Sequence, residues 1–248
     1  MSLLTDLIDF LLPETCAGCG GAPVLLCGSC AAALDGPARP ARPVPPGLPP
    51  PWTVASYEGA VQKIFSAYKE HGRTPLAVPL GEALAKAVDA ALPEPGAAVR
   101  PAGPGPPPGA PPESARAAVE PEPMAVVWVP SRREATRRRG HDPLGRAVEV
   151  AVHRLRAGGV RVAAVSGLRQ RRRVADQAGL GAKARRDNLS GALEAVPQAP
   201  LGGRRVVLVD DVVTTGASLA EAARALRAAG AEVVAAATVA ATPLRWGR

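Results

Sequence analysis

From Met124 onward, short apolar segments alternate with helical ones, and this alternation limits the folds that the chain can adopt. Strands that alternate with helices form a parallel sheet covered by helices on both faces, because each connection must cross over the sheet. The predicted elements are strands at Ala125–Val129, Val160–Val165, Arg205–Val209 and Glu232–Ala240, a helix that begins with an N-cap at Asp142 and Pro143 and runs to about Arg156, and a helix at Ala217–Ala229. The C-terminal half is therefore predicted to be an α/β domain.

Prolines divide the rest of the chain. Of the 28 prolines, 8 lie in Gly36–Pro51 and 11 in Pro93–Pro123, too many for either segment to form a packed element. We interpret the second tract as a disordered spacer rather than a ligand for an SH3-type partner. Between the tracts, a strand near Val54 and helices at Glu58–Lys69 and Leu76–Leu92 are predicted. The expected divisions are 1–35 for an N-terminal helix and cysteine module, 36–51 for a linker, 52–92 for a strand–helix–helix hood region, 93–123 for a disordered insertion and 124–248 for the core.

Four cysteines occupy fifteen residues at the N-terminal side, as Cys16-Ala-Gly-Cys19 and Cys27-Gly-Ser-Cys30. Two such turns joined by seven residues bring four thiolates to one tetrahedral ion, which favours zinc. Two disulfides are the alternative in an oxidising compartment, and a redox C-x-x-C would normally accompany a βαβ pattern that is missing here. Four protein ligands leave no open position, so the predicted zinc is structural.

The most specific pattern follows the apolar strand before Asp210. Two carboxylates, Asp210 and Asp211, precede a loop of hydroxyl and small residues that runs into a helix: Thr214, Thr215, Gly216, Ala217 and Ser218. Backbone N–H groups and hydroxyls at a helix start suit a phosphate monoester. The carboxylates would repel that phosphate, so they suit the hydroxyls of an attached ribose, directly or through Mg²⁺. An ordinary strand–turn–helix with a solvent-facing Asp pair is the alternative.

The segment Val206–Ser218 resembles the phosphoribosyl diphosphate (PRPP) motif of type I phosphoribosyltransferases. Together with the four cysteines, Arg139-Gly-His-Asp-Pro143, Arg173-Val-Ala-Asp-Gln177 and Arg186-Asp-Asn188, it is similar to the ComF family of phosphoribosyltransferase-like proteins. The resemblance implies a type I phosphoribosyltransferase-like parallel sheet flanked by helices, with an N-terminal zinc knuckle. Many relatives have Arg-Gly-Phe-Asn-Gln where this chain has His141, Asp142 and Pro143, so any role of that Asn or Gln does not carry over.

By the same resemblance, Asp210 and Asp211 correspond to the acidic pair on the ribose hydroxyls, and Thr214–Ser218 to the 5′-phosphate loop. Ser131, Arg132 and Arg133 fall where such enzymes have a pyrophosphate loop, and Gly167–Asn188 falls where they have a mobile hood. No residue stands out as a catalytic base; Asp176 in the hood is a weak candidate. The resemblance implies Mg²⁺ with PRPP as well as structural zinc.

The net charge of +8 is local, since Met124–Ser190 carries 16 basic and 5 acidic residues, a net +11, over a remainder of −3. One interpretation is a transferase in which arginines stabilise departing pyrophosphate. The other is a non-catalytic factor of competence, DNA uptake and recombination, in which those arginines and the zinc knuckle bind single-stranded DNA or a protein. Aromatic residues that would stack on bases are absent between Trp128 and Trp246.

The location predicted from the sequence is cytoplasmic. No segment reaches the roughly 18–20 apolar residues of a membrane span. Met1–Leu12 carries Asp6 and Asp9 and no basic residue, so it lacks the positive start of a secretory signal.

Overall fold

The computed structural model describes residues 15–42, 44, 46–93, 122–131, 142–171 and 189–243. Its strands are β1 Arg39–Pro40, β2 Pro51–Thr53, β3 Ala55–Ser56, β4 Met124–Trp128, β5 Val162–Val165, β6 Leu168–Gln170, β7 Leu193–Ala195, β8 Arg205–Val213 and β9 Glu232–Ala241. Its helices are α1 Gly28–Ala32, α2 Gly59–Lys69, a 3₁₀ turn at Thr74–Leu76, α3 Ala77–Ala91, α4 Pro143–Ala157 and α5 Ala217–Ala228.

The main sheet has the order β1-β2-β9-β8-β4-β5, and β3 continues the pairing of β2 along β9. All of these pairs are parallel except β1 with β2. The prediction of a parallel sheet flanked by helices is therefore confirmed. The segment predicted as a separate hood region contributes β2 and β3 to this same sheet, with Ala55 opposite Ala240.

The sheet separates two apolar layers, because side chains alternate between faces along each strand. On β8, Val207 and Val209 face the layer that contains α2, α3, α4 and the cysteines, while Val206 and Leu208 face the layer that contains α5 and β7. All four are fully buried. Helices α3 and α4 approach closely at Gly81, where a Cβ would lie 2.6 Å from the Cβ of Val150.

Strand β8 is longer than predicted. It continues past Val209 through the acidic pair to Val213, because β9 pairs with it as far as Ala241. The strand was expected to end at the carboxylates, but the backbone pairing with β9 keeps this segment extended. Three strands were not predicted from the sequence: β1, which lies in the tract interpreted as a linker, and β6 and β7, which form a separate antiparallel pair of three residues each.

The tract interpreted as a linker, 36–51, is not separate from the fold at its described positions. Arg39 pairs with Thr53, and Ala41 and Leu48 are buried in the layer that contains α5. The second tract, 93–123, lies outside the described residues except for residues 93, 122 and 123. Among the described residues, no helix has the length and apolar character needed to cross a membrane.

Candidate functional site

The acidic pair lies where the central strand of the sheet approaches its carboxyl end. Both Asp210 and Asp211 are partly exposed, and the backbone N–H of Asp211 donates a hydrogen bond of 2.9 Å to Oδ1 of Asp210. Strand β9 fixes the backbone on one side, with Asp210 opposite Thr238. The two carboxylates therefore stand at the edge where ligands of open α/β sheets bind.

The electrostatics of this pair disfavour the ionised form of Asp210. Burial, together with the neighbouring Asp211 carboxylate, raises the pKa of Asp210 well above its usual range. The hydrogen bond from the Asp211 N–H and the nearby ammonium of Lys69 act in the opposite direction but do not cancel the rise. Two adjacent carboxylates in such a place cost stability, which makes a ligand-binding role easier to understand than a structural one.

Lys69 was not singled out by the sequence analysis, yet it contacts this site directly. It is the last residue of α2, and its ammonium forms an ion pair with Oδ2 of Asp211. The same ammonium lies 5.3 Å from the ring centre of Phe65, one helical turn earlier. The four-residue spacing was readable from the sequence, but the pairing of β3 with β9, which brings α2 to the acidic pair, was not.

The predicted phosphate loop follows β8 directly. Gly216 has a φ of 75°, a left-handed conformation that glycine adopts without strain, and it immediately precedes α5. Within the loop, the N–H of Ala217 donates to Oγ1 of Thr215 at 3.3 Å. Thr214 is exposed and Ser218 is partly exposed. The structure thus brings the acidic pair and the loop together at one edge of the sheet.

The start of the predicted pyrophosphate loop is held by Asp142, in a role that differs from the one expected. The sequence predicted Asp142 as the N-cap of α4, and it occupies that position, but its side chain makes no capping bond. Its carboxylate accepts hydrogen bonds from Nε1 of Trp128 at 2.7 Å and from Oγ of Ser131 at 3.1 Å. Because both carboxylate oxygens of Asp142 accept from these two side chains, the carboxylate does not cap the backbone N–H groups at the start of α4.

Several predicted site residues lie outside the described part of the chain. They are Arg132, Arg133 and the weak catalytic candidate Asp176. Of the other arginines that were expected around the site, Arg169 and Arg171 are described, and both pair with Glu194 of β7, at 2.8 and 3.9 Å. These two guanidinium groups therefore belong to the β6–β7 pair.

The four cysteines converge as predicted. Their Sγ atoms all lie within 4.8 Å of one another, and those of Cys19 and Cys27 are 3.7 Å apart. A tetrahedral zinc with Zn–S bonds of about 2.3 Å places its sulfurs about 3.8 Å apart, so the donor set fits zinc. Gly18 permits the turn, because a Cβ there would lie 2.5 Å from Sγ of Cys30.

The two buried cysteines differ in their electrostatics. Burial and the neighbouring cysteines raise the pKa of the Cys30 thiol to about 12. Burial also disfavours the Cys16 thiolate, but backbone N–H groups, first that of Cys27, outweigh it and lower the pKa of Cys16 to about 5. The Cys27 N–H lies 3.3 Å from the Cys16 sulfur, the N–H···S contact that is common around metal thiolates.

The comparisons with known proteins match the part of the chain that contains the predicted phosphate loop. Residues 177–248, which include β7, β8, α5 and β9, match the family described as the phosphoribosyl transferase domain. Competence protein F of Haemophilus influenzae is 49% identical over 59 residues, 23% of this chain and 26% of that protein. Part of this chain is therefore similar to phosphoribosyl transferase domains and to Competence protein F. The sheet extends beyond the matched residues, because β2, β3, β4 and β5 complete it.

Two further relatives carry transferase names. Orotate phosphoribosyltransferase of a Nocardioides species is 64% identical over 33 residues, 13% of this chain and 18% of that protein. Adenine phosphoribosyltransferase of Mycobacterium avium is 62% identical over 39 residues, 16% of this chain and 22% of that protein. The chain thus spans about a quarter or less of the length of the curated relatives that it matches.

Proposed function

We propose that this protein binds PRPP, or another ligand with a ribose 5-phosphate group, at the carboxyl edge of its sheet. One observation carries the proposal: a carboxylate pair and a phosphate-type loop adjoin at the end of β8 within the domain that matches phosphoribosyl transferases. Asp210 and Asp211 would accept hydrogen bonds from the ribose hydroxyls. The backbone and hydroxyls of Thr214–Ser218 would hold the 5′-phosphate.

The reaction supported best is transfer of the phosphoribosyl group to an acceptor. The bond from C1′ to the diphosphate breaks, the diphosphate leaves with the electron pair, and a bond from C1′ to the acceptor forms while the acceptor loses a proton. Such a transfer through an oxocarbenium-like state depends mainly on positioning and on charge stabilisation of the leaving group. Ser131, fixed by Asp142, and Arg132 and Arg133 after it are proposed for the diphosphate.

Two metal ions enter the proposal in different ways. The cysteine cluster fits structural zinc, and thiols kept free for a metal support a reducing compartment, the cytoplasm. The carboxylate pair does not fit Mg²⁺ well, because the ammonium of Lys69 already contacts Asp211. Diphosphate oxygens are hard ligands of the kind Mg²⁺ prefers, and Mg²⁺ held there would offset leaving-group charge.

Calorimetry with PRPP and Mg²⁺ tests the pocket. We expect saturable binding to the wild-type protein and a loss of affinity of roughly 100-fold or more for the Asp210→Asn/Asp211→Asn variant, since both carboxyl groups that accept from the ribose hydroxyls are lost. Asp89→Asn, an exposed carboxylate change on α3, is the matched control and should bind like wild type. Absence of binding by wild type would refute the proposal.

Thermal melting tests whether the single variant Asp210→Asn is folded. Because the pKa of Asp210 is raised in the folded state, ionisation of Asp210 costs stability; this cost is absent below the unfolded-state pKa of about 3.9, grows as the pH rises above it and is complete above the folded-state pKa. Asp210→Asn removes the cost and keeps an oxygen for the Asp211 N–H. It should therefore melt at or above the wild-type temperature at neutral pH, with a smaller difference in acid.

A second candidate function is binding of single-stranded DNA, or of a protein of the uptake and recombination machinery. The match to Competence protein F and the net +11 of Met124–Ser190 favour it. A gel shift with a single-stranded oligonucleotide tests it: the complex should form at about 50 mM salt and weaken by a factor of 10 or more at about 200 mM, as phosphate contacts require. No shift at the lowest salt would refute direct DNA binding.

A further inference from the structure

The side chain of Lys69 places a cation at the acidic pair Asp210 and Asp211. The ammonium of Lys69 contacts the Asp211 carboxylate, and the two side chains are 29% and 23% exposed. This exposure is low enough to strengthen the pair relative to a surface ion pair, yet high enough for a ligand to reach both groups. The Asp210 carboxylate also attracts this ammonium.

Three contacts hold Lys69 in this position. The N–H of Tyr57 donates to the carbonyl of Ala241 at 2.7 Å, which joins the start of α2 to the end of β9. The ring of Tyr57 meets that of buried Phe65 edge-on, with centres 5.7 Å apart. Phe65 in turn lies beneath the Lys69 ammonium, one helical turn away. The lysine is therefore placed by the sheet and by its own helix, without the loop that follows β8.

The surroundings of Lys69 favour its charged form. Burial disfavours the ammonium, but attraction to Asp211 and then to Asp210 outweighs it, so the pKa of Lys69 lies above its ordinary value. One positive charge thus faces two adjacent carboxylates. An ammonium has three N–H donors, and the contact with Asp211 uses one, which leaves donors for a hydroxyl bound at the same carboxylates.

We infer that Lys69 is the built-in cation of the ribose site and that it does there what a divalent ion would otherwise do. It neutralises part of the carboxylate charge, so that Asp210 and Asp211 bind the ribose diol directly and no Mg²⁺ lies between them. This inference rests on the proposed function. A divalent ion at Asp211 would have to displace the ammonium and would be repelled by it.

Ribose 5-phosphate is the probe that tests this, because it lacks the diphosphate through which PRPP carries Mg²⁺. Calorimetry on the full chain should give the same affinity for the wild-type protein with and without millimolar Mg²⁺. Lys69→Met should bind about 10- to 100-fold more weakly without Mg²⁺, the loss expected for a charged hydrogen-bonding partner, and should regain part of that affinity when Mg²⁺ is added. Lys69→Arg, which keeps the charge, should stay within about threefold of wild type.

Lys63→Met is the matched control, since Lys63 is an exposed lysine of the same helix and should leave affinity unchanged. The inference is overturned if Lys69→Met binds as well as wild type without Mg²⁺, or if wild type itself requires Mg²⁺ for this ligand. Failure of wild type to bind ribose 5-phosphate under any condition would instead refute the proposed function, and the inference with it. Should Lys69→Met not fold, Lys69→Arg and the Mg²⁺ series on wild type decide the question.

Discussion

Removal of the zinc proposed for the cysteine cluster is expected to lower the melting temperature of the protein by on the order of 10 °C. Structural zinc sites contribute several kcal/mol to folding, and each kcal/mol corresponds to roughly 2–4 °C for a chain of this size. The effect should extend beyond the cluster itself. Cys16 and Cys30 are 2% and 4% exposed and belong to the apolar layer that also contains α2 and α3.

A melting series with a strong chelator measures this effect, and metal analysis should find about one zinc per chain. Cys16→Ser should melt at the temperature of the chelated wild type, and chelator should lower it no further. Ser29→Ala is the control, because the Ser29 hydroxyl lies 3.3 Å from the Cys27 sulfur without being a ligand candidate. A zinc content near zero in protein purified without chelator would contradict the assignment.

Replacement of Glu221 by alanine is expected to cost about 2–4 kcal/mol in the free energy of unfolding. Glu221 is buried on α5, where it accepts a hydrogen bond of 3.2 Å from the N–H of Leu193 and pairs with Arg224 at 2.8 Å. Arg224 also donates to the carbonyl of Leu193 at 3.1 Å. Removal of the carboxylate leaves the buried N–H of Leu193 without its acceptor and leaves the Arg224 guanidinium without its ion-pair partner, so the contact of β7 with α5 is weakened.

The matched control is Glu82→Ala, whose partner Arg154 is also an arginine but whose side chain is 45% exposed. Pairs at the surface contribute little, so a change under about 1 kcal/mol is expected there. Urea denaturation of both variants at neutral pH makes the comparison. Equal losses for the two would show that Glu221 does not hold β7 to α5.

The dependence of this effect on pH has a definite sign. Burial opposes the ionisation of Glu221, but the bonds from Arg224 and from the Leu193 N–H outweigh it, so the pKa of Glu221 lies below its ordinary value. Its contribution is therefore complete above the unfolded-state pKa of about 4.3 and is lost as the pH falls through the lower folded-state pKa. The difference between wild type and Glu221→Ala should shrink in acid.

The elements that sequence predicts well are those whose pattern repeats over a whole strand or helix. The alternation from Met124 predicted the parallel sheet, and the Asp-Pro start of α4 at Pro143 agrees with the structure. Asp142 occupies the predicted N-cap position, but its side chain bonds Trp128 and Ser131 instead of the helix. These donors lie 14 and 11 residues away in sequence, so no local pattern contains them. Lys69 was missed because its partner Asp211 is likewise distant in sequence, and only the pairing of β3 with β9 brings the two together.

Short elements escaped prediction for a different reason. Strands of three residues such as β6 and β7 are too brief to show a period, and their pairing depends on contacts with Glu221 and Arg224 of α5. The acidic pair was predicted to follow the end of the strand, because carboxylates are rare inside strands. Only the neighbouring β9, which extends to Ala241, shows that β8 continues through them.

The position of β9 has a consequence for how the protein is made. Ala55, which leaves the ribosome early, finds its sheet partner in Ala240, one of the last described residues. Until β9 has emerged, β2 and β3 lack their neighbour and one edge of β8 is unpaired, so the nascent chain exposes two strand edges at once. Native pairing over such a sequence separation is slow. Synthesis of this protein should therefore depend on chaperones until translation has passed Ala241, and chains that stop before β9 should aggregate.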